Sequence, residues 1–178
     1  MDGLCLRDAT HDDAEAIAGL HAESWRRTYR GIYSDSYLDG EVVAERRAAW
    51  RERFANPDPA ASTVAAELQG ALVGFAHTIL DADATWGTLL DNLHVAPDVK
   101  RSGIGTVLLG ASAAFAAERG TTPVLHLWVL EANLGARAFY DARGGECVER
   151  AGDHAPDGTR VIGLRYVWRD ANVLRARR

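Results

Sequence analysis

The residues best placed to do chemistry lie in Lys100-Arg101-Ser102-Gly103-Ile104-Gly105-Thr106, a basic loop with paired glycines. Gly103 and Gly105 permit unusual dihedrals and carry no Cβ to block a ligand. The segment before the loop, Leu89 to Val95, alternates as a strand and stops at Pro97. The segment after it repeats apolar residues at Ile104, Leu108, Ala111 and Phe115, the stripe of an amphipathic helix. Free N–H groups at a helix start form an anion site, reinforced by the helix dipole. Lys100 and Arg101 add positive charge, so the loop is expected to hold a phosphate-bearing ligand. A dinucleotide fingerprint needs a third glycine where Leu108 stands, and a Walker loop needs Lys and Ser/Thr where Thr106 and Val107 stand. Neither applies.

A second constellation follows. Val124 to Leu130 is rich in β-formers, Asn133 is a good N-cap, and a short helix then runs toward Gly144. Asn133 and Tyr140 lie close to two turns apart and project to similar azimuths. Asp91 interrupts the apolar face that Leu89, Leu93 and Val95 share, and parity places His94 opposite it. The six histidines show neither HExxH nor paired ligand spacing, so no metal is expected.

Taken together, Lys100 to Gly105 and the run Asn133, Ala136, Phe139, Tyr140 resemble the GNAT superfamily of N-acetyltransferases. The first resembles its acetyl-CoA pyrophosphate loop and the second its Asn-x-x-Ala-x-x-Phe-Tyr element. There are two departures. Lys100 stands for the usual Arg or Gln, and Gly145 stands where a Phe often follows the glycine, which leaves that packing position unfilled. The resemblance implies acetyl transfer from acetyl-CoA to a primary amine in a ternary complex, without metal. It implies that Lys100, Arg101, Ser102, Gly103, Ile104, Gly105 and Thr106 hold pyrophosphate. The strand Leu93, His94, Val95 would splay from its neighbour, pair with the pantetheine arm and offer an oxyanion N–H. Asn133 and Tyr140 would complete the cofactor site, with Tyr140 as the acid that protonates the leaving sulfur. A phenol is protonated at neutral pH, and its pKa is not far above that of a thiol.

The base is less determined. Asp91 leads, but an ordinary aspartate is too weak to act directly on an ammonium, so it implies burial or a water relay. His94, His77, His126 and Glu131 rank behind it. On the acceptor side, family members use the segment around Trp25 to Tyr33 as a lid. Trp25 and Tyr29, i,i+4 neighbours, either wall an apolar pocket or face the core. Trp86 borders the pocket or only packs its hairpin.

The elements that must position these residues follow from the rest of the chain. Its 178 residues suit one domain, taken as 4–172 with a basic tail 173–178. Hydrophobic residues make up 47%, enough for a core without disulfide or metal. The predicted order is β-α-α-β-β-β-α-β-α-β-β. The resemblance makes this an α/β (α+β) fold, a mixed, mostly antiparallel central sheet with helices on both faces. A net charge of −5 argues against nucleic acid as partner. There is no run long enough to span a membrane. The start Met1-Asp2-Gly3 lacks signal-peptide character, and two distant cysteines suit a reducing cytoplasm. A small-molecule amine is the expected acceptor, and a homodimer is left open. The alternatives are another acyl-CoA donor, a protein lysine or N-terminal amine, or a CoA-binding module without turnover.

Overall fold

In the computed structural model, residues 3–175 are described. The readings of the N-terminal Met1-Asp2 and of tail residues 176–178 lie outside them. Seven strands form one sheet: β1 (Leu4–Asp8), β2 (Ala61–Leu68), β3 (Ala71–Asp83), β4 (Gly87–Val95), β5 (Leu125–Leu130), β6 (Glu146–His154) and β7 (Arg160–Trp168). Their order is β1-β2-β3-β4-β5-β7-β6. Every pairing is antiparallel except β4 with β5. Helices α1 (Ala14–Thr28) and α2 (Val42–Ala55) cover one face, and α3 (Ile104–Arg119) and α4 (Leu134–Asp141) the other. This is the expected mixed, mostly antiparallel sheet.

Local chemistry explains several junctions. Gln69 and Gly70 both take positive φ (53° and 80°), the requirement of a two-residue hairpin turn between β2 and β3. Gly40 is absorbed in a π-helical segment, Tyr37–Glu41, that runs into α2. α3 approaches β3 closely because Gly74 has no Cβ. One placed there would lie 3.0 Å from both Leu108 Cδ1 and the His94 carbonyl oxygen. The buried stripe of α3 is Ile104, Leu108, Leu109, Ser112, Ala113 and Ala116, with Ala111 and Phe115 only at its margin.

Three expectations change. The alternation of β4 is interrupted by a bulge. His77 pairs with Asn92, but Thr78 pairs with Leu90, which leaves Asp91 as the extra residue. Leu90, not Leu89, therefore joins Leu93 and Val95 toward α3, while Asn92 and His94 face α1 and α2. Second, the position at Gly145 is not unfilled. A Cβ there would lie 2.9 Å from the Trp168 indole and 3.0 Å from the Tyr166 ring, so rings from β7 occupy the space. Third, the fold continues past residue 172. A short helix α5 (Asn172–Arg175) puts Leu174 into the core beside α3.

Candidate active site

β4 leads through a 3-10 turn (Pro97–Val99) into the basic loop. Arg101 (φ 67°) and Gly103 (φ 88°) are both left-handed, and Gly103 caps α3. The first helical bonds run from Thr106 and Val107 N–H to the Gly103 carbonyl. The N–H groups of Arg101, Ser102, Gly103, Ile104 and Gly105 find no acceptor among the described residues. Such a row of unpaired N–H groups at a helix start is an anion cradle. The two glycines do different jobs. Gly103 supplies the left-handed turn, whereas a Cβ on Gly105 would lie 3.3 Å from the Phe139 ring, so Gly105 lets α4 pack onto α3. The loop also has a partner that sequence reasoning missed. Arg143 stacks on the Phe139 ring (3.7 Å), donates to the Phe139 carbonyl (2.9 Å) and to Thr106 Oγ1, and borders the cavity. The signal was its i,i+4 spacing from Phe139.

The sheet splits next to this loop. β4 and β5 pair only through Thr88–Leu125 and Leu89–His126, and beyond the Asp91 bulge the strands separate. Ala96 N–H donates to Val73 on the β3 side. Alternation therefore turns the Leu93 and Val95 N–H groups toward the split. The split opens into a cavity of about 800 Å³, bordered by β4 from Leu90 to Val95, the loop, β5, α4 and the end of α1.

α4 brings the second constellation to that cavity. Asn133 Oδ1 accepts the Ala136 N–H (3.1 Å), the expected N-cap. The Asn133 side chain also lies close enough to the Tyr29 hydroxyl to favour its ionised form, against the larger effect of burial. The Tyr140 ring packs against Phe139, Tyr166 and Trp168 at centroid distances of 5.2, 5.9 and 5.9 Å. It borders the cavity, and its hydroxyl bonds to no described residue. Burial pushes the Tyr140 phenol above its ordinary pKa, and nearby Tyr29 adds to the shift.

Asp91 borders the same cavity. Its Oδ2 accepts from Arg53 and from the Asn92 amide, both at 2.6 Å. Asn92 Oδ1 is buried without a partner among the described residues. His94 is also here, so the bulge cancels the opposition to Asp91 that strand parity implied. His94 Nδ1 lies 2.9 Å from Ser24 Oγ, and its ring is 4.4 Å from His21. Burial, with Lys100 and Arg46 nearby, lowers the His94 pKa to about 3. The weaker base candidates are engaged elsewhere: His77 with Thr63, His126 with Arg165 and Glu131 with Arg150.

Four histidines thus fold neutral. Burial is the leading cause at each, taking His77 and His126 to about 4 and His21 far below its usual range. An unfolded histidine binds its proton near pH ~6.5. Below that the unfolded chain holds more protons, so stability falls as pH drops toward the folded values. Each neutral histidine costs about 1.4 kcal/mol per pH unit in that window. Urea denaturation at pH 7.5 and 5.5 is expected to show a loss of at least ~2 kcal/mol. Equal stability at the two pH values would contradict neutral burial.

Of the acceptor-side residues, only Tyr29 reaches the cavity. Trp25 turns into the α1–α2 packing, 5.7 Å from Tyr33 and capped by the Arg46 guanidinium at 4.6 Å. Trp86 sits in the β3–β4 turn beside Arg165 and Arg169, away from the cavity lining. No group of three or more potential metal-ligating side chains stands among the described residues.

A sheet split beside an anion cradle, with a buried tyrosine on the facing helix, is the arrangement that the resemblance to acyl-CoA-dependent acyltransferases implied. The match to known proteins makes this specific: the model of the acetyltransferase (GNAT) family covers residues 22–144, and the chain belongs to that family as an acetyl-CoA-dependent N-acetyltransferase. It is 28% identical to the uncharacterised N-acetyltransferase YuaI of Bacillus subtilis over 97% of this chain and 96% of that one. It is 35% identical to streptothricin acetyltransferase of Streptomyces lavendulae over 78% of each. Among solved structures, PaiA N-acetyltransferase of Thermoplasma acidophilum, in complex with coenzyme A, shares the fold at TM-score 0.71. That match has 20% identity and covers 92% of this chain and 99% of that one.

Proposed function

We propose that the enzyme acetylates a primary amine of a small molecule by direct transfer in a ternary complex, within a single domain that includes α5. The observation that carries this is the single cavity joining the anion cradle, the free β4 edge and Tyr140. The residues fit acetyl-CoA. The N–H groups of Arg101 to Gly105, with Thr106 and Arg143 beside them, suit a pyrophosphate. The split edge of Leu93 to Val95 suits an amide-bearing arm. Bound there, acetyl-CoA supplies an activated acyl group on a good leaving thiol.

The chain's own residues do the rest. The Leu93 and Val95 N–H groups stabilise the negative charge that develops on the carbonyl oxygen. Asp91, through water, removes the proton from the attacking amine. As the C–N bond forms and the C–S bond breaks, Tyr140 gives its proton to the sulfur. Burial moves the phenol up, but a thiol in the same buried site is also pushed up, so the transfer stays near balance.

The relative named for streptothricin supports a small-molecule acceptor. We place the enzyme in the cytoplasm, where its two free, exposed thiols, Cys5 and Cys147, persist. No helix of the described residues is long and apolar enough to cross a membrane. The test is a screen of small amines with acetyl-CoA, read as CoA release. Turnover of small amines supports the reading, and efficient acetylation of intact protein with no small amine turned over overturns it.

A further inference from the structure

We propose that a second cavity, walled by Tyr29, Tyr33 and Trp128 and closed by Asp153, holds a cationic group of the acceptor. The acceptor then carries two basic nitrogens, of which one is acetylated and the other stays protonated as the recognition handle. This rests on the acetyl-transfer reading above and names its substrate class.

The cavity measures about 340 Å³ and lies between the end of α1 and the β6–β7 hairpin. It shares Tyr29, Trp128 and Val129 with the larger cavity, so the two adjoin across these side chains. An acceptor that reaches from the larger cavity past Tyr29 would place its far end here.

Its walls are aromatic, and the one charged residue among those lining it is acidic. The Tyr29 and Tyr33 rings stand 4.7 Å apart at 38°. Trp128 lies across β7, where a Cβ on Gly163 would sit 3.1 Å from the indole. Gly163 thus makes room for the indole to lie flat, and Trp128 remains 40% exposed, unusual for so large an apolar side chain. Among the lining residues Asp153 alone is charged. Asp153 and Asp157 are both close enough to act electrostatically on the Tyr33 phenol. The nearby cations are already engaged: Arg46 with Glu45, Arg150 with Glu131, and Arg165 with Asp83, Glu149 and, at 4.5 Å, the Trp128 ring, which leaves the tyrosine faces and Asp153 as the main attraction for an added cation. Ring faces with a carboxylate attract an ammonium or guanidinium and repel an anion. A neutral apolar acceptor would not need Asp153, and an acidic one would be opposed by it.

The test compares α,ω-diaminoalkanes of three to six carbons with 1-aminoalkanes of the same lengths, by CoA release. The best diamine is expected to exceed its matched monoamine at least about tenfold in kcat/KM. Asp153→Asn is expected to shrink that ratio by about tenfold, chiefly through the diamine KM. Trp128→Leu is expected to shrink it in the same direction. A variant that merely folds poorly lowers both substrates together and leaves the ratio intact, which counts against the inference. Monoamines turned over as well as diamines by wild type overturn the inference while the acetyl-transfer reading stands. No turnover of any amine, together with no acetyl-CoA binding, overturns both.

Discussion

Gly103→Val is expected to weaken acetyl-CoA binding at least ~100-fold, because it removes the conformation that lines up the loop's N–H groups. Gly103 sits at φ 88° as the cap of α3. A β-branched residue is an outlier at positive φ, and even an ordinary L-residue pays roughly 1–2 kcal/mol there. The loop relieves that strain by rotating the peptide, and rotation turns away donors that no described residue otherwise engages. A single charge-assisted hydrogen bond contributes about 1.5–3 kcal/mol, so loss of two such donors accounts for the expected drop. Gly70→Val is the control. Gly70 takes φ 80° in the β2–β3 turn with nothing within 4 Å of a Cβ, so it suffers the same strain away from the cavity. Calorimetry with acetyl-CoA should separate the two variants. Equal affinities for both, close to wild type, would remove pyrophosphate from this loop.

The loop and the Asn133–Tyr140 element were legible because their chemistry is local. A left-handed glycine before a helix, a capping asparagine and a helical spacing are all set within a few residues. What failed to show was set at a distance. The bulge at Asp91 is one extra residue in a strand whose alternation looks regular, and only the register against β3 reveals it. It also starts the separation from β5, so the feature that builds the cavity was hidden in the segment that signals it best. Gly145 seemed a missing packing group, but the Tyr166 and Trp168 rings that fill the space come from β7. Trp25 and Tyr29 are i,i+4 neighbours with similar chemistry, yet one packs against α2 and the other faces the cavity. That choice depends on where α2 lies, which helical spacing alone does not encode. The second cavity draws on α1, β5, β6 and β7 together, so no local motif announces it.

Tyr140→Phe is expected to lower kcat about 100-fold, the scale of one general acid, and to leave acetyl-CoA affinity nearly unchanged. The substitution is unusually clean here. The ring keeps its contacts with Phe139, Tyr166 and Trp168, and the hydroxyl bonds to no described residue, so neither packing nor a structural hydrogen bond is lost. Thermal stability should therefore change little, by less than about 0.5 kcal/mol. The cradle and the β4 edge, which hold the donor, are untouched. If the hydroxyl acts only as the carbon–sulfur bond breaks, kcat and kcat/KM for the amine fall by the same factor. The wild-type pH profile gives a second reading. Burial raises the phenol above its ordinary value, so the acid stays protonated and kcat should show no falling limb up to about pH 10. Near-full turnover by Tyr140→Phe, with chemistry shown to limit the rate, would assign the sulfur's proton to water and leave Tyr140 as packing between α4 and β7.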